Sequence, residues 1–129
     1  MEYTIEFGGA PQDVTITTSG SASVDGMIGY IANLVASPRY TPGMSILVDH
    51  RSLDARPLTA ADIKAFALAV VKRDEQIGPS RIAIVVANPL MFGFARMYEL
   101  HAEESQVRSK VFYSHSDALS WLGSGAESD

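Results

Sequence analysis

Tyr3, Ile5 and Phe7 alternate with Thr4 and Glu6, the two-residue period of a half-buried strand. Gly8-Gly9-Ala10-Pro11 reads as a turn. Val14 and Ile16 among threonines make a second strand, closed by Ser19-Gly20-Ser21, and so short a connection predicts an antiparallel hairpin. The period then changes. Ile28, Ile31, Leu34 and Val35 keep helical spacing behind the cap candidates Ser23 and Asp25, and Pro38 ends that helix. After the turn Tyr40-Thr41-Pro42-Gly43, the run Met44 to Asp49 fits a strand buried on both faces, and His50 to Leu58 reads as a polar loop. Thr59, with Asp62 three residues on, opens a helix in the manner of a capping box. That helix is expected to run to about Ile77, with Ile63, Phe66, Ala67 and Val70 inward and Lys64, Lys72, Arg73 and Glu75 solvated, until Gly78-Pro79 stops it. Arg81 to Ala87 is the clearest strand. A helix to about Glu104, a strand Lys110 to Tyr113 and a final helix Asp117 to Leu122, capped by Ser114 and docked by Trp121 and Leu122, complete the pattern.

The order β-β-α-β-α-β-α-β-α predicts one α/β domain over residues 1–122, with a mixed, mostly parallel sheet and an N-terminal antiparallel hairpin. Residues 123–129 form a polar Gly/Ser-rich tail expected to fray.

The segment from Asn88 to Tyr98 is too apolar for an ordinary one-striped surface helix. On a helical wheel Leu90, Met91, Phe94, Met97 and Tyr98 share one side, a sufficient core stripe, and His101 continues it. Phe92 and Arg96 fall roughly opposite, near Glu99 and Glu103. Two readings stand side by side: Arg96 pairs with a neighbouring glutamate and shields Phe92 with its stem, or Phe92 and Arg96 form a contact patch for a protein partner, including a second copy of the chain. Met91, Phe94 and Met97 also have the character of a cavity wall for an apolar ligand.

Composition narrows the function classes. A chain of 129 residues, 47% apolar, supports one core. The net charge is −5 and the ten basic residues are scattered, with Lys72-Arg73 the one adjacent pair, which argues against nucleic-acid binding. No cysteine is present, so disulfides, thiolate metal sites and cysteine nucleophiles are excluded. The start lacks a basic n-region and an apolar h-region, and no apolar run reaches the roughly 20 residues of a membrane span. A soluble cytoplasmic protein without membrane insertion is the expectation.

The best polar cluster is Asp49-His50-Arg51, at the carboxyl end of a central strand, where open α/β sheets place ligands. There His50 would serve as a general base, or Arg51 and Arg56 as clamps for an anion; in the bland alternative Asp49 caps loop amides while His50 and Arg51 are solvated. Three isolated histidines give no metal-ligand spacing, Gly8-Gly9 opens no helix as a phosphate loop must, and no cofactor is implied.

Tyr40-x-Pro42-Gly43, then Ile46-Leu47-Val48-Asp49, Arg81 to Val85, Gly93 to Glu99, Val111-Phe112 and Ala118-Leu119-x-Trp121-Leu122 together carry a resemblance to the STAS domain (sulfate transporter and anti-sigma factor antagonist). The chain most resembles the stand-alone bacterial SpoIIAA-like branch of the STAS and CRAL-TRIO-like grouping. The resemblance implies a four- to five-stranded sheet surrounded by helices. True antagonists carry a phosphorylatable serine in an Asp-Ser-[Ser/Thr]-Gly motif at the helix after the central strand. Here the chain reads Asp49-His50-Arg51-Ser52 and Leu58-Thr59-Ala60-Ala61, so the motif is absent and Thr59 is its positional counterpart only. These readings lead to a non-enzymatic regulatory or protein-interaction module, expected to be a homodimer using Phe92 and Arg96. A carrier or sensor of a small apolar or amphipathic ligand is the alternative, and an enzyme using Asp49, His50 and Arg51 the third.

Overall fold

The computed structural model describes residues 1–124, so the expected fraying of the tail beyond Ser124 lies outside the described residues. Five strands, β1 (Glu2–Phe7), β2 (Val14–Ser21), β3 (Ile46–Asp54), β4 (Arg81–Val85) and β5 (Arg108–Phe112), form one sheet in chain order. β1 runs antiparallel to β2 and the other pairings are parallel. The helices are α1 (Val24–Ala36), α2 (Ala60–Lys72), the single turn α3 (Asp74–Ile77), α4 (Pro89–His101) and α5 (His115–Gly123). The mixed α/β architecture with its N-terminal hairpin is the one the hydrophobic pattern predicts.

Because the parallel strands follow one another in space, crossovers of one hand bring α1, α2 and α4 to the same sheet face. There Ile16, Ile46, Val48, Ile82 and Ile84 meet Tyr30, Ile63, Phe66 and Tyr98 in the main core. On the opposite face α5 is the one helix that packs among the described residues, with Ala118 and Leu122 against Leu47, Ala83 and Val85. Every residue of β4 is buried, as a strand covered on both faces must be.

Local chemistry sets the helix starts. Ser23, Thr59, Asn88 and Ser114 each accept a backbone N–H three residues on, and Thr59 with Asp62 completes a reciprocal capping box. The helix opened by Thr59 breaks earlier than the spacing predicts: α2 ends at Lys72, and Arg73 leads into α3. The turn after α3 depends on Gly78, whose φ of +80° suits glycine and whose missing Cβ would sit 2.6 Å from the Gly43 nitrogen. The Gly43 N–H donates to the Ile77 carbonyl at 2.9 Å, and the Tyr40 hydroxyl reaches the same oxygen at 2.6 Å. The Tyr40-x-Pro42-Gly43 motif therefore ties the entries of β3 and β4 together.

Three expectations are corrected. β3 does not stop at Asp49 but continues to Asp54. Leu90, expected in the core stripe of α4, is 45% exposed, and His101 is exposed as well. The buried positions of α4 are Met91, Ala95, Tyr98 and, just past its end, Ala102, so the inward arc is centred further round the helix than the wheel suggested.

Candidate functional site

The extension of β3 carries the Asp49-His50-Arg51 cluster on a strand, and strand alternation separates its members. Leu47 and Asp49 face α5, whereas Val48 and His50 face the main core. A bulge follows: Thr17 pairs with Asp49, but Ser19 pairs with Ser52, so His50 and Arg51 together oppose Thr18. The bulge resets the alternation, which is why Leu53 points inward only three residues after His50.

His50 is 3% exposed and Thr18 beside it 1%. The Thr18 hydroxyl lies 2.7 Å from His50 Nδ1 and 3.3 Å from the Asp49 carbonyl oxygen. With its one proton given to that carbonyl, the hydroxyl accepts from Nδ1–H and leaves the Nε2 lone pair facing the Tyr30 hydroxyl at 3.5 Å. Burial pushes the imidazole down to about 4, outweighing the opposing pull of Asp49. His50 is thus neutral at pH 7, and the expectation of a solvated histidine is corrected. Burial also raises the Tyr30 hydroxyl, and lifts Tyr98 to about 12. Above His50 the rings of Tyr3, Tyr30, Phe66 and Tyr98 follow one another at centroid spacings of 6.0, 5.9 and 5.4 Å. Two small voids open beside this row, one of about 20 Å³ reaching from His50 to Phe94 and one of about 10 Å³ beside Val48 and Ile82. The first has room for a single water.

On the other face, Arg51 closes on Asp49. Its backbone N–H and Nε donate to Oδ1 at 3.0 Å each, and Nη2 donates to Oδ2 at 2.8 Å. Asp54 and Arg56 repeat the arrangement five residues on, through contacts of 2.8 to 3.2 Å. The guanidinium fork holds each carboxyl below its usual range, Asp54 at about 2. Asp49, His50 and Arg51 therefore do not converge: two are paired with each other at the surface and one is sealed beneath the sheet's helical layer. Arg51 and Arg56 are each engaged by a carboxylate, not held open as anion clamps.

On α4, Phe92 and Arg96 lie four residues apart, about one helical turn. Phe92 is half-buried and stacks on Tyr113, with centroids 4.6 Å apart and planes 13° from parallel. Tyr113 is 52% exposed. Arg96 stays exposed and approaches Glu99 at 3.8 Å. Glu99 also accepts the Val111 N–H at 3.0 Å, and burial raises its carboxyl. Tyr113, just past β5, is the residue sequence reasoning missed; its place in a register with α4 has no local signal. Thr59 is exposed at the start of α2, engaged in its capping box.

Among the described residues, no group of three or more histidine, aspartate or glutamate side chains is placed to hold a metal ion, and no helix is long and apolar enough to cross a membrane. No family model and no curated protein matches the chain. A solved structure does: an uncharacterised protein of the DUF3478 family with a SpoIIAA-like fold, from Shewanella loihica PV-4. It is 20% identical, with 94% of this chain and 92% of that chain covered, and a TM-score of 0.58. The chain has a SpoIIAA-like fold.

Proposed function

We propose that this SpoIIAA-like domain is a non-enzymatic interaction module whose partner is a second copy of the chain. The observation that carries the reading is the Phe92–Tyr113 stack, an aromatic pair with half of Tyr113 left in solvent at the junction of α4 and β5. Exposed, rigid aromatic surface beside an arginine, here Arg96, is the composition of an interface centre. The reacting groups that an enzyme would need are meanwhile committed to internal pairs: Asp49 to Arg51, and His50 to Thr18. Without the Asp-Ser-Ser/Thr-Gly motif, control of association by phosphorylation at Thr59 is not part of this reading.

Gel filtration of wild type and Tyr113→Asp tests it. A dimer that becomes a monomer on substitution supports the assignment. A wild-type monomer at all concentrations, or a variant of unchanged mass, removes it. Tyr113 is exposed, so the folded state should survive the change, and a circular dichroism melt checks that.

A second reading is supported by the two voids beside Tyr30, Phe66 and Tyr98: a sensor of a small apolar ligand that enters by displacing Phe94. At about 20 Å³ the larger void needs that displacement before it admits more than water. Native mass spectrometry of protein purified from cells tests it; consistently empty protein counts against it.

A further inference from the structure

Tyr30 and His50 are buried together, at 2% and 3% exposure, yet they satisfy each other poorly. The Tyr30 hydroxyl meets His50 Nε2 at 3.5 Å, whereas a good contact of this kind is about 2.7–3.0 Å. Nδ1 is taken by Thr18 at 2.7 Å, so Nε2 is the acceptor left over. A buried donor and a buried acceptor held this far apart form an incomplete pair, of a kind that a third polar group usually completes.

The surroundings indicate what that group belongs to. Both residues line the void of about 20 Å³ that reaches Phe94. The rest of the wall is apolar or aromatic and includes Met27, Phe66, Met91 and Tyr98. The Tyr98 hydroxyl is turned to Ser109 at 3.0 Å. Among the described residues no charged side chain lines the void, so an ion there would stay uncompensated. Phe94 is half-buried, and every other residue of the wall is buried. The route from solvent therefore passes the Phe94 ring. Gly93 beside it has no heavy atom within 4 Å of where a Cβ would stand, so the surface next to the ring is open. An outward turn of Phe94 frees the volume of about one aromatic ring beside the void.

We propose that this void is the inner end of a site for a small neutral phenol, whose hydroxyl bridges Tyr30 and His50 and whose ring takes the place of Phe94. The inference rests on the second reading above, a sensor opened at Phe94, and gives that sensor its ligand class. A hydroxyl accepts from the Tyr30 O–H and donates to Nε2 at the same time. A carbonyl only accepts and leaves Nε2 bare, and a carboxylate brings a charge that the wall does not offset. The sulphurs of Met27 and Met91 and the rings of Phe66 and Tyr98 suit an aromatic guest.

The probe is para-fluorophenol, and its comparison is para-fluorotoluene, which has nearly the same shape and no hydroxyl. Each is titrated into the protein by fluorine NMR. A purely apolar cavity takes the toluene more tightly, because the phenol gives up its water without a partner. Wild type should instead bind the phenol about tenfold more tightly than the toluene. Phe94→Ala opens the site without touching its polar end, and should tighten both probes several-fold while keeping the preference. Tyr30→Phe should abolish or reverse the preference. Tyr113→Asp should bind both probes as wild type does, which separates this site from the α4–β5 junction. Equal or tighter binding of the toluene by wild type and Phe94→Ala overturns the phenol and leaves the apolar-ligand reading standing. A preference unchanged in a folded Tyr30→Phe overturns the phenol in the same way. If circular dichroism shows that Tyr30→Phe does not fold, the preference of wild type and Phe94→Ala decides. No binding of either probe by wild type overturns both readings, since the native Phe94 ring then does not give way.

Discussion

Acidification acts on His50 in a direction and by an amount that its surroundings determine. The imidazole has a pKa of about 4 in the fold against 6.5 ordinarily, because burial disfavours its charged form. As pH falls, the unfolded chain takes up this proton near 6.5, while the folded chain resists until about 4. The stabilisation is therefore complete above pH 6.5 and is lost progressively as pH drops toward 4. At about 1.36 kcal/mol per pH unit, the interval between those two values gives a loss of roughly 3 kcal/mol. That is a large part of the roughly 5–15 kcal/mol of a typical domain. Urea unfolding across this range, for wild type and His50→Gln, isolates it. Glutamine keeps a polar group for Thr18 but does not titrate. The surface carboxylates Asp49 and Asp54 are common to both proteins, so their contribution largely cancels in the difference. Wild-type stability should fall by roughly 3 kcal/mol more than that of the variant, no faster than about 1.4 kcal/mol per pH unit. A difference between the two proteins that does not change with pH would refute the assignment of His50 as a buried neutral residue.

Thr59→Ala removes the side-chain acceptor of the Asp62 N–H and half of the capping box, and should cost about 1 kcal/mol in urea unfolding. Gly78→Ala forces a Cβ onto Gly43 and Pro42 at a backbone conformation few other residues adopt; a loss of about 2 kcal/mol or more is expected, seen as a lowered Tm. Arg81→Met should act the other way: an apolar side chain of similar length removes a buried guanidinium whose nitrogens have no hydrogen-bond partner among the described residues, so thermal stability should rise by about 1 kcal/mol or more.

The fold was legible because most elements keep their own period, from Tyr3, Ile5 and Phe7 in β1 to Ile63, Phe66 and Val70 in α2. The candidate site was legible in location but not in geometry. Asp49, His50 and Arg51 do lie near the carboxyl end of β3, yet the polar run after Val48 hides that the strand continues. Its continuation is dictated by a partner: β2 runs on to Ser21 and pairs with Leu53 and Asp54. The bulge that turns Leu53 inward is a tertiary feature, and no period of two survives it. His50 itself did carry a signal, since it continues the inward alternation of Ile46 and Val48. On α4 the wheel placed Leu90 inward by apolarity alone; at the first turn of the helix it stays largely in solvent. The stack of Phe92 on Tyr113 joins residues 21 apart in the sequence and depends on how α4 lies against β5.

Hydrogen exchange measured over a range of protein concentrations tests the central claim, association through the junction of α4 and β5, most directly. Protection of the amides from Met91 to Phe94 and around Tyr113 should rise with concentration in wild type and stay flat in Tyr113→Asp. Protection that does not depend on concentration, or that rises only elsewhere on the surface, would contradict it.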